Sequence, residues 1–107
     1  MPLTLAPVSP AEILQREFLQ PLGVTPTRLQ EALRLTPRAV EGLLSGQQRI
    51  TADLALRLGK GFRTSPEFWL NLQTQYDLET RKADTTQQFV LQEVVPLTPE
   101  WKEPTGE

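Results

Sequence analysis

Apolar residues recur at helical spacing through the middle of the chain, with polar residues filling the positions between them. Leu29 and Leu33 lie four apart, and Val40, Leu43 and Leu44 resume the stripe. Leu35 falls between the two runs, where a turn must still be pinned to a core. Thr36 provides an N-cap for the second run, and Pro37 stands at its first helical position, where a missing N–H costs nothing. Gly46 closes that run. Residues Thr25 to Gly46 therefore predict two short helices joined by a tight turn, the helix-turn-helix pattern, whose second helix suits a groove of DNA. Helices this short cannot bury their stripes alone, so the flanking chain must be their scaffold.

Five Ser/Thr-Pro dipeptides divide the rest: Ser9-Pro10, Thr25-Pro26, Thr36-Pro37, Ser65-Pro66 and Thr98-Pro99. Each pairs a capping residue with a proline suited to a first helical turn. Residues 1–8, with Leu3 and Leu5 alternating, predict an extended arm or short edge strand. Ser9 and Glu12 have capping-box spacing. They open a first helix whose core face is Ile13, Leu14 and Phe18 and which ends at Pro21-Leu22-Gly23. After the central pair, Gln47-Gln48-Arg49-Ile50 reads as a polar loop with one apolar anchor. Thr51 caps a fourth helix with a small-residue face of Ala52, Ala55, Leu56 and Gly59, its end weakened by Gly59 and Gly61. Ser65 caps a fifth, with Phe68, Leu72 and Tyr76 on one stripe and Trp69 beside it, all read as core. Arg81–Gln88 is a polar linker. Phe89, Leu91, Val95 and Leu97 alternate, which predicts a strand at 89–97, restricted by Pro96 to an edge.

A chain of 107 residues accommodates one domain around one core. Without cysteine or histidine, a disulfide framework, a thiolate or histidine zinc site and imidazole chemistry are excluded. The carboxylates fall singly along helices and no Gly-rich phosphate loop is present, so no enzyme, metal or cofactor is expected. No apolar run approaches the ~20 residues that span a bilayer, and Met1–Pro10 lacks the basic start of a signal peptide. The expectation is a cytoplasmic protein with no membrane partner. Net charge is −2, but its distribution matters more. Between Thr25 and Arg63, seven cations (Arg28, Arg34, Arg38, Arg49, Arg57, Lys60 and Arg63) face three acids (Glu31, Glu41 and Asp53), and from Glu67 onward acids dominate. A basic middle with acidic flanks fits a DNA-facing module carrying a second, differently charged surface.

On the second central helix, the residues placed to reach base edges are Thr36, Arg38, Glu41, Gly42 and Ser45. Arg38 leads, because a guanidinium can fork onto O6 and N7 of guanine. Glu41 can accept from a cytosine amine or repel phosphate, and Gly42 gives either a close backbone approach or a tolerated weak point. Thr27 and Arg28, opening the first central helix, and Gln47, Gln48 and Arg49, following the second, are expected at the phosphate backbone. So few cations imply a shallow salt dependence and binding as a dimer.

These residues resemble the HigA-type antitoxins, small members of the Xre/Cro-like helix-turn-helix class. The match is carried by Ile50-Thr-Ala-Asp53, Ala55-Leu56-Arg57-Leu58, Thr64 through Gln73 (TSPEFWLNLQ) and Tyr76-Asp77-Leu78, together with Ser9–Leu14 and Phe18–Gly23. It covers about residues 9–80 and neither the arm nor the tail. What it implies is an all-α, five-helix lambda-repressor-like domain over 9–80, followed here by a tail, 81–107, carrying the strand. It further implies a homodimer that binds double-stranded operator DNA, represses its own toxin–antitoxin operon and neutralises a HigB-like toxin, an mRNA endonuclease. The chain departs from the family at three positions. Pro26 stands where a phosphate-touching glutamine is usual, Gln30 replaces a small residue, and Arg34 replaces a turn glycine at a cost of roughly 1 kcal/mol. These departures and the acidic balance favour the alternative, a helical protein-interaction module with weak or lost DNA binding. The strand at Phe89, Leu91, Val95 and Leu97 has three candidate partners: the arm, the same strand of a second protomer, or a sheet of the toxin.

Overall fold

A hydroxyl or carboxylate side chain takes a free N–H at the start of every helix in the computed structural model, which describes residues 7–98. Ser9, Thr25, Thr36, Thr51 and Ser65 each accept from the N–H three residues on, and Asp84 accepts from Thr86. The resulting helices are α1 (residues 10–22), α2 (Pro26–Leu33), α3 (Pro37–Ser45), α4 (Ala52–Phe62), α5 (Pro66–Lys82) and α6 (Thr85–Gln92). Four of the five Ser/Thr-Pro pairs open a helix as expected. The fifth, Thr98-Pro99, extends beyond the described residues.

The first helix is built in three sections, α-helical Pro10–Ile13, π-helical Leu14–Leu19 and α-helical Gln20–Leu22. In the middle section the ladder widens, and the N–H of Gln20 donates to the carbonyl of Gln15. Leu14 and Leu19, five apart, are thereby both buried, while Ile13 and Phe18, expected on the core face, are half-buried.

The core comprises Leu14, Leu19, Leu29, Leu33, Val40, Leu43, Ile50, Leu54, Ala55, Leu58 and Trp69, so every described helix except α6 contributes. Trp69 is fully buried and donates from Nε1 to Thr64 Oγ1 at 2.7 Å. Its ring lies 4.9 Å from that of Phe18 and 5.0 Å from that of Phe68, between α1 and α5. The fifth helix is centred on Trp69 and Gln73 rather than on Phe68, Leu72 and Tyr76, and Phe68 lies at the rim. On α4, Ala55 and Gly59 are buried but Ala52 and Leu56 face outward. A Cβ on Gly59 would sit 2.9 Å from the carbonyl oxygen of Thr64, so this glycine does more than weaken the helix end: it lets the α4–α5 turn close.

Two expectations for the tail are corrected. The linker shrinks to Ala83 and Asp84, and the segment read as a strand at 89–97 begins inside a sixth helix, with Glu93 ending it and no strand among the described residues. A lone strand leaves its backbone N–H and C=O groups unpaired, whereas a helix satisfies them internally. The Asp84 cap and the glutamines of TTQQFVLQ allow the helix. Helix α6 packs against α5, and Phe89, Val90, Leu91, Val94, Val95 and Leu97 are all exposed. The proposed pairing with Leu3–Leu5 lies outside the described residues. Among the described residues, no helix is long and apolar enough to cross a membrane.

Candidate nucleic-acid interface

Helix α3 is closed at its start by its own cap and tied to the body at its end, leaving its outer side bare. At its start, Thr36 Oγ1 accepts from the N–H of Ala39 at 3.0 Å. At its end, Gln15 of α1 donates from Nε2 to the Leu44 carbonyl at 2.9 Å, occupying one of the orphan acceptors of a helix terminus. Val40 and Leu43 face the core, whereas Thr36, Arg38, Glu41 and Ser45 are exposed.

An open groove of about 650 Å³ runs along that outer side, lined by Thr36, Arg38, Ala39, Glu41, Gly42, Ser45, Gln47 and Gln48. The structure thus gathers all five residues expected at base edges, and two of those expected at phosphates, around one concavity. Gly42 serves the groove indirectly. A Cβ there would stand 3.3 Å from Gln48 Cβ, and the Gly42 carbonyl accepts from Ser45 Oγ and from the N–H of Gln48. Its missing side chain therefore seats the loop against the helix. Thr27 and Arg28 are exposed at the start of α2, and Thr27 lines a neighbouring, more apolar groove with Gln30, Pro37, Val40 and Leu44.

Arg49 lies elsewhere. Its guanidinium forks onto the carboxylate of Asp77 on α5, with Nη1 to Oδ1 at 3.1 Å and Nη2 to Oδ2 at 2.6 Å. The hydrogen bond from Arg49 holds the Asp77 carboxyl below the ordinary aspartate range. The same carboxylate accepts from Gln73 Nε2, and Gln73 Oε1 accepts from the buried N–H of Ile50 at 2.8 Å. This relay ties the loop after α3 to α5.

The turn between α2 and α3 is held from α4. Arg34 adopts φ 59°, the left-handed conformation its position demands, so the expected strain falls on this arginine. Arg57 donates from Nη1 to the carbonyls of Leu33 and Arg34 at 2.8 and 3.0 Å, and its Nε pairs with Asp53. Arg57, counted above among the basic residues, thus caps α2.

Sequence reasoning gave no role to Gln15, Gln73, Asp77 or the capping nitrogen of Arg57. One signal was present for Gln73: it follows Trp69 by four and is a polar residue on an otherwise apolar stripe.

No protein-family model matches the chain. An uncharacterized HTH-type transcriptional regulator of Haemophilus influenzae is 43% identical over 76 residues, covering 71% of each chain. Antitoxin HigA-1 of Vibrio cholerae is 42% identical over 72 residues, covering 67% of this chain and 68% of its own. Among solved structures, the Pseudomonas aeruginosa antitoxin HigA with the higBA promoter superposes with a TM-score of 0.77 at 40% identity, over 86% of this chain and 99% of that one.

Proposed function

The chain belongs to the HigA antitoxins, a family of helix-turn-helix regulators, and from that premise we propose that it binds an operator in its own promoter as a dimer. The observation that carries this reading is the groove along α3, where Thr36, Arg38, Glu41 and Ser45 stand clear of the body. In the bound state these side chains face base edges. Thr27, Arg28, Gln47 and Gln48 border the strands on either side, whereas Arg49, expected at a phosphate, is engaged by Asp77. Two such helices lie about 34 Å apart on a pseudo-palindrome. The solved relative with its promoter supports the same use of the fold.

We further propose that the protein acts in the cytoplasm, represses its own operon and neutralises a HigB-like endonuclease toxin. The surface for a protein partner is the exposed apolar side of α6 and Val94–Leu97, including Phe89, Leu91, Val95 and Leu97. We assign it to the second protomer, with the toxin as the other occupant. Loss of DNA binding in favour of protein contacts alone is the competing reading, favoured by the net charge of −2. Fluorescence anisotropy with a duplex from upstream of the gene and a scrambled duplex decides between them. Tighter binding of the promoter duplex supports the operator reading; equal, weak binding of both overturns it.

A further inference from the structure

Arg49 follows the DNA-facing groove in sequence, yet its charge is engaged on the far side of the loop. We propose that Asp77 is a positioning residue for the DNA contact, holding the Arg49 guanidinium off the phosphate backbone and so suppressing sequence-independent binding. This inference rests on the operator reading above.

The carboxylate is built into the fold. It takes both guanidinium branches of Arg49 and a third bond from Gln73, whose own oxygen is fixed on the buried N–H of Ile50. Gln73 is only 7% exposed, so this support does not swing with solvent. Arg49 and Asp77 line a small concavity with Ser9, Pro10 and Tyr76, which meets the α3 groove at Gln48 but opens beside it; Arg49 does not line the groove itself. Arg28 and Arg38, by contrast, form no ion pair among the described residues. Phosphate contacts supply the sequence-independent part of affinity, and each steepens the salt dependence by about 0.9 in log–log slope. Neutralising Arg49 removes one such increment per protomer, leaving a larger share of binding to the side chains of α3.

The test compares the full-length protein with Arg49→Gln, Asp77→Asn and the double variant, on promoter and scrambled duplexes between 50 and 200 mM salt. Melting curves establish that each variant is folded. Arg49→Gln is expected to leave the salt slope unchanged. Asp77→Asn is expected to steepen it by about 0.9 per protomer, which for a dimer is roughly 12-fold in affinity across that range, and to tighten binding to the scrambled duplex. The double variant returns the slope to that of the parent, a reversal that a merely structural role for Asp77 would not produce. A shallower slope in Arg49→Gln places Arg49 on a phosphate and overturns the inference. So does an Asp77→Asn protein with an unchanged slope or weaker binding to both duplexes. Failure of the parent to prefer the promoter duplex overturns the operator reading and this inference with it, whereas wrong slopes in a selective parent overturn this inference alone.

Discussion

Arg38 and Gly59 show how much depends on where one side chain ends or is missing. Arg38 is exposed in the α3 groove, and a forked contact to one base is worth about 1–3 kcal/mol of discrimination. Arg38→Ala is therefore expected to relax specificity at one base pair per half-site in a mobility-shift series of substituted operators. Uniform weakening across all sequences would make it a phosphate contact instead. Gly59→Ala forces a methyl to within 2.9 Å of a backbone oxygen that has no free rotation, and should lower unfolding free energy by about 1–3 kcal/mol in a denaturant titration. At this scale the sequence was legible where the chemistry is local. A hydroxyl before a proline caps a helix whatever surrounds it, and the Ser/Thr-Pro pairs within the described residues do so. The partners of Gln73 and Asp77 were not legible, because the N–H of Ile50 that needs a partner becomes an orphan only once α5 lies across it.

Between elements, the angle of α2 to α3 is set from a third helix. Arg57 holds the two carbonyls that end α2, while its exposed pair with Asp53 adds little. Arg57→Ala is expected to cost about 1–2 kcal/mol of stability, from the lost charged hydrogen bonds. Asp53→Ala should cost much less, and equal losses in paired thermal melts would shift the weight to the ion pair. The periodicity that predicted α2 and α3 held because each has a core to face. It failed in the tail for the converse reason. With Phe89, Leu91, Val95 and Leu97 all in solvent, no buried side selects a period of two over one of 3.6, and the alternation read as a strand was coincidental.

For the molecule as a whole, the α3 groove and the apolar tail sit on different elements, joined through α5. The core draws on α1 to α5 and takes nothing from α6. Deleting residues 86–107 is therefore expected to leave the thermal transition of the domain nearly unchanged while converting a dimer to a monomer in light scattering. A truncated protein that remains dimeric but no longer neutralises the toxin would assign the tail to that partner.

The widened turn of α1 bears on which lengths of this chain can fold. Because Leu14 and Leu19 are five apart and both inside, dropping exposed Arg16 or Glu17 would restore an ordinary four-residue repeat and keep both leucines buried. Elsewhere in a helix the loss of one residue swings everything downstream by about 100°. Here the slack absorbs it, so a single-residue deletion variant should melt close to its parent, and the first helix can vary in length by one without moving the two that follow.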